Sequence, residues 1–235
     1  MKKTFSNKKS AFSLIELSIV LIIIGLLISG ITGGASLIKS SELRSVISEA
    51  RAYATSVNGF HSQFNAYPGD YNVALGSQGT YVGDADGTIE FTSVHTTVVG
   101  NESAMAWYML TQIGSVAGSY TAAAATTSQV PGTHMPASKI RAAGWLFDYI
   151  SSQNVAVLTG ATVTTGIGTG STLANFSSGV ITPVDALSID TKVDDGVANA
   201  GKVRGLLAAC FSTTTYTVAT TTKTCALSYQ VDINS

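Results

Sequence analysis

The sequence predicts an α+β fold: a long N-terminal helix, membrane-spanning in its first half, packed against a small, mostly antiparallel β-sheet domain. Three observations predict it. Residues 17–28 form an apolar block interrupted only by Ser18 and Gly25 and free of charge. Beyond residue 38 the apolar positions Leu43, Val46, Ile47, Ala50, Ala54, Val57 and Phe64 recur mostly at three- and four-residue steps, the stripe of an amphipathic helix. In the last third, short apolar runs are separated by Gly, Thr and Asp, as strands of a small sheet would be.

The apolar block and the stripe follow one another with no clear stop signal. They predict one helix over residues 12–64, roughly 80 Å long at 1.5 Å per residue. Residues 12–35 are long enough to cross the hydrocarbon core of a membrane. Glu42, Arg44, Glu49 and Arg51 fall largely off the stripe. A break into two helices at Gly33-Gly34 is the alternative. Gly30 with Gly34, and Gly25, Ser29 and Gly33, have the small-xxx-small spacing that lets membrane helices approach closely, although glycine is common in such helices anyway.

Composition bounds the rest. At 235 residues, 45% hydrophobic and 11% charged, the chain can bury a sizeable core and is not of the disordered class. Lys2, Lys3, Lys8 and Lys9 precede the apolar block with no acidic residue among them. Without its first eleven residues the chain keeps nine basic against fourteen acidic side chains. It then has no basic stripe to neutralise phosphates, so nucleic acid is not an expected partner.

A basic start followed by an apolar run fits three readings. Gly33 and Ala35 suit the −3 and −1 positions of a secretory signal cleaved after Ala35, which would release a soluble binding domain. A plain anchor also fits, and the basic flank would keep its N-terminus cytoplasmic. Glu16 separates these from the third. A carboxylate near the start of an apolar helix is costly in lipid, and neither a signal nor an anchor uses one. No partner for it is evident on the same helix, but a cut just upstream would create an ammonium.

Ala11-Phe12-Ser13-Leu14-Ile15-Glu16-Leu17 resembles the prepilin processing motif of type IV pilins and type II secretion pseudopilins. The resemblance implies a leader at 1–11, cleaved between Ala11 and Phe12 by a prepilin peptidase that also methylates the new Phe12 amine. It further implies that Glu16 pairs with the Phe12 amine of a neighbouring subunit, and that the helix serves as inner-membrane anchor and then as filament core. Ala11 departs from the family's usual Gly. The expected partners are the peptidase, an inner-membrane assembly platform, and copies of this chain or other pilins. The expected location is the bacterial inner membrane, single-pass with a cytoplasmic N-terminus, and then a periplasmic or cell-surface filament. A surface type IV pilus and a periplasmic pseudopilus of type II secretion both remain open.

Residues 65–235 form the expected exported domain. It opens with Tyr67-Pro68-Gly69-Asp70, a turn that looks like the Tyr-Pro-Gly-Asp signature following the long helix in many prepilin-like proteins. Short helices are expected at 105–113 and 142–150, strands at 155–163, 180–189, 203–211 and 227–233, and surface loops at 120–130 and 164–172. Cys210 and Cys225 are the only cysteines. In an oxidising compartment they would form a disulfide, the alternative being two buried thiols.

Gly83-Asp84-Ala85-Asp86-Gly87-Thr88-Ile89-Glu90 resembles the middle of a calcium loop. The full pattern fails, because Val82 and Ser93 occupy the first and last ligand positions. A looser structural calcium site on Asp84, Asp86 and Glu90 competes with a solvated turn, and some pseudopilins do carry structural calcium. Asp190, Asp194 and Asp195 make a second acidic turn, read as solvated. His61, His95 and His134 have no ligand-spaced partners, and no nucleophile motif occurs. No enzyme activity is expected.

Overall fold

The computed structural model describes residues 13–77, 82–91, 101–122, 129–160 and 179–232. The expected leader, Ala11 and Phe12, and the loop at 164–172 lie outside the described residues. The chain divides into two units, Met1–Ser41 and Glu42–Ser235.

Helix α1 covers Leu14–Phe64. It starts with a capping box: the Ser13 backbone N–H donates to Glu16 Oε2 at 2.9 Å, and the Ile15 N–H donates to Ser13 Oγ at 3.4 Å. Gly33 and Gly34 lie inside the helix, which does not break there. Ser18 Oγ donates to the Ile15 carbonyl and Ser36 Oγ to the Gly33 carbonyl, both at 2.9 Å, so these hydroxyls are satisfied within the helix. Every Leu, Ile and Val from Leu14 to Ile38 is 45–88% exposed. Such a surface is stable only in lipid or against other apolar chains.

From Glu42 onward the predicted stripe is the buried one. Leu43, Val46, Ala50, Val57 and Phe60 are buried, with Ile47, Tyr53, Ala54 and Phe64 partly so. One expectation fails: Glu49 faces the domain. Its carboxylate accepts from Ser138 Oγ (2.7 Å), the Lys139 N–H (3.0 Å) and Trp145 Nε1 (2.7 Å).

Helix α2, Glu102–Gln112, begins at Asn101, whose side chain accepts from the Ala104 N–H. Strands β1 (Ala143–Ile150) and β2 (Gln153–Gly160) form an antiparallel hairpin in which Phe147 lies opposite Ala156. Helix α3 spans Pro183–Val193, with Thr182 as N-cap and Pro in its first turn. Strand β3 is Val203–Gly205, β4 Phe211–Ser212, β5 Thr215–Tyr216 and β6 Leu227–Gln230. The main sheet is wholly antiparallel in the order β1-β2-β6-β3, and β4-β5 is a separate small hairpin. The fold is therefore α+β, a long apolar N-terminal helix with an antiparallel sheet domain.

Two segments take the other secondary structure. Residues 142–150, expected helical, form β1, and 180–189, expected as a strand, mostly form α3. The outer edge of β1 is protected. Its Trp145 N–H donates to the Pro136 carbonyl and its Phe147 N–H to Ser103 Oγ. Trp107 of α2 stacks on Phe147 with ring centroids 4.1 Å apart, and Tyr53 of α1 meets Trp107 and Trp145 edge-on. These rings form the centre of the core.

Cys210 and Cys225 are joined by a disulfide, fifteen residues apart in sequence and 4.7 Å between Cα atoms. Both are fully buried, and the bond closes a loop containing the β4-β5 hairpin. Cys225 also exchanges backbone hydrogen bonds with Ile181, just ahead of α3.

Candidate functional site

Among the described residues two places are candidates for functional chemistry, one in each unit. The first is the start of α1, where Glu16 is an exposed carboxylate whose Oε2 accepts from Ser13 of its own chain. The sequence reading found no partner on the helix. Ser13-x-x-Glu16 was the signal that would have given one.

The second is a knot of three backbone segments. Gly69 has φ +90°, and a Cβ there would lie 2.3 Å from the Glu102 carbonyl oxygen. A Cβ on Gly83 would lie 2.2 Å from the Asp70 carbonyl carbon. Only glycine permits approaches this close. The Gly83 N–H donates to the Tyr71 carbonyl and the Ala85 N–H to the Asp70 carbonyl, tying the 83–87 loop to the turn after α1. Asn154, at the start of β2, holds the far side: Oδ1 accepts from the Ile89 N–H at 2.7 Å, and Nδ2 donates to the Gly87 carbonyl.

This knot brings one carboxylate oxygen each from Asp70, Asp84 and Glu102 within 4.8 Å of one another. Asp70 is 2% exposed and accepts from the Asp86 N–H (2.9 Å) and the Gly87 N–H (3.0 Å), one on each oxygen. Burial, together with the charges of Asp86 and Asp84, pushes its pKa up to about 6 against the pull of those two N–H groups. Glu102 is 1% exposed in the first turn of α2. Its Oε2 accepts from the Glu90 N–H at 3.1 Å, whereas Oε1 is buried with no hydrogen-bond donor among the described residues. Burial, with Asp70, Asp84 and Glu90 nearby, pushes it up to about 8.

Of the three residues expected to share a cation, the structure brings only Asp84 into this cluster. Asp86 is exposed and accepts from the N–H and Oγ1 of Thr88, closing its own turn. Glu90 is buried beside Glu102, and its carboxylate is not one of the three. Asp70 and Glu102 were missed. They lie 32 residues apart, and no sequence spacing announces that they meet.

The second acidic turn also brings one oxygen each of Asp190, Asp194 and Asp195 within 4.8 Å of one another, with two of its residues exposed and its carboxylates bonded to the protein itself. Asp190 accepts from Tyr216 Oη (2.8 Å) and the Gly196 N–H (3.2 Å), Asp195 from the Val197 N–H (2.8 Å), and Asp194 from the Lys202 N–H. Those bonds hold the end of α3 against β3 and the β4-β5 hairpin.

Residues 6–32 match the family model described as the prokaryotic N-terminal methylation motif. The N-terminal segment of this chain therefore carries a prokaryotic N-terminal methylation motif. The matched segment contains Ala11, Phe12 and Glu16 and the apolar first half of α1. No curated protein matches the chain. The major type IV pilin PilA1 from Clostridium difficile superposes over 83% of this chain and 98% of that one, with 11% identity and a TM-score of 0.38. A likeness that loose carries no argument about this chain.

Proposed function

We propose that the chain is the precursor of a structural subunit of a type IV pilus-like filament. A prepilin peptidase cuts between Ala11 and Phe12, removes the four leader lysines and methylates the Phe12 amine. The mature subunit waits in the inner membrane with its sheet domain outside. An assembly platform then moves it into a bundle of N-terminal helices, with copies of itself or with other pilins. The observation that carries this reading is the methylation motif over residues 6–32, continuous with a helix whose apolar side chains are uncovered.

Glu16 supplies register. Its Oε2 serves the Ser13 N–H of its own chain, and a carboxylate has a second oxygen to offer a neighbour's Phe12 amine. Pairing of that kind between offset subunits fixes one arrangement in a low-dielectric core. A periplasmic pseudopilus is built from the same N-terminal chemistry, and the exported domain offers no observation that favours one filament over the other. Intact-mass measurement of the mature protein tests the proposal. The expected species begins at N-methylated Phe12 and keeps the apolar helix; a chain beginning at Ser36 would establish a released soluble domain instead.

A further inference from the structure

We propose that Asp70, Asp84 and Glu102 bind one divalent cation, calcium in preference to magnesium, that pins the 83–87 loop and the start of α2 to the turn after α1. The three oxygens already converge. Calcium–oxygen distances of about 2.3–2.6 Å allow two ligands to stand up to about 5 Å apart across the ion, and this set lies within 4.8 Å. All three donors are carboxylates, which selects a hard cation over zinc or copper. Magnesium demands a near-ideal octahedron and gives up its waters reluctantly, whereas calcium tolerates irregular sets from separate loops.

Glu102 Oε1 is the independent observation. It belongs to a side chain 1% exposed and has no hydrogen-bond donor among the described residues, and the same carboxylate contributes one oxygen to the cluster with two other acids. Burying a carboxylate oxygen without a donor is destabilising, more so when it is charged, and a bound cation removes that cost. Among the described residues, the groups acting on Asp70 and Glu102 are other carboxylates and backbone N–H donors, with no lysine or arginine among them. The backbone is built for the arrangement at a price: Gly69 and Gly83 admit no side chain, and Asp70 is oriented by two N–H donors. A solvated turn requires none of this.

The test uses the full chain in detergent, stripped with EDTA and dialysed, then titrated with calcium chloride alone or magnesium chloride alone. Calorimetry should show one saturable calcium site per chain, and thermal unfolding should shift up by at least about 4 °C at saturating calcium. Magnesium should bind at least about tenfold more weakly. Glu102→Gln keeps an acceptor for the Glu90 N–H and should weaken calcium binding at least tenfold. Asp84→Asn, at a half-buried position, should do the same and serves if Glu102→Gln does not fold. Asp195→Asn, in the other acidic turn, should leave binding unchanged. Absence of a saturable site in the stripped wild-type chain overturns the proposal. Wild-type affinity in Asp84→Asn, or loss of binding confined to Asp195→Asn, overturns it equally. None of these readouts involves filament assembly.

Discussion

Glu49 Oε2 accepts the indole N–H of Trp145 at 2.7 Å, joining the second half of α1 to β1 across ninety-six residues of sequence. Trp145 is buried and could not leave its N–H unpaired without cost, and the same carboxylate closes the 138–139 turn. Glu49→Ala removes an acceptor from three donors at once. The expected loss is about 2–4 kcal/mol in a denaturant titration of the full chain, with Glu49→Gln losing less. A loss no larger than that of an exposed neighbour such as Glu42→Ala would show the contact to be incidental.

Asp148 gives a pH dependence. Burial pushes its pKa from the ordinary 3.8 up to about 7, against the N–H groups of Phe91 and Tyr149 that donate to Oδ1. An acid that ionises less readily when folded favours the native state at low pH. Stability should therefore fall as pH rises from about 4 to about 7, by up to about 4 kcal/mol, and level off above. Asp148→Asn keeps the Oδ1 acceptor and removes the titration. At fixed calcium, its stability–pH curve should be flatter than wild type in that window; two parallel curves would mean Asp148 is not a source of the slope.

The disulfide should contribute about 3 kcal/mol, the chain-entropy value for a loop of this length. Reduction, or the Cys210→Ser/Cys225→Ser pair, should lower the unfolding midpoint accordingly. The β4-β5 hairpin should then lose amide-exchange protection before the main sheet does. Uniform loss across the domain would place the bond's effect in the whole fold and not in this loop.

Glu16→Gln isolates charge from capping, because glutamine also completes a capping box with Ser13. The variant should reach the membrane and be cleaved normally. With no wild-type copy present, its recovery in sheared filaments should fall at least about tenfold. Wild-type recovery would remove Glu16 from the assembly mechanism.

Much of this was legible in the sequence, for identifiable reasons. The stripe from Leu43 to Phe64 lies on one helix with one buried face, so period alone finds it. Residues 142–150 misled because β1 is buried almost throughout, which erases the alternation that marks a half-exposed strand. Helix α3 was announced by Thr182-Pro183, an N-cap followed by proline, but its β-branched neighbours outweighed that signal. Asp84 was identifiable from its loop. Asp70 and Glu102 were not, because they meet through a tertiary contact that the two glycines make possible.

The sheet order has a consequence for how the domain is made. Strand β6 is the last of the described strands but lies inside the sheet, hydrogen-bonded to β2 on one side and β3 on the other. A chain emerging N-terminus first can form the β1-β2 hairpin early. It cannot attach β3 to that hairpin until residue 230 has come through. Until then β2 presents a bare edge, the surface on which unfinished chains pair with one another. Vectorial synthesis thus leaves the domain open to mispairing up to its closing step, and a stall or truncation before Leu227 would leave β3 with no strand to join it to the β1-β2 hairpin.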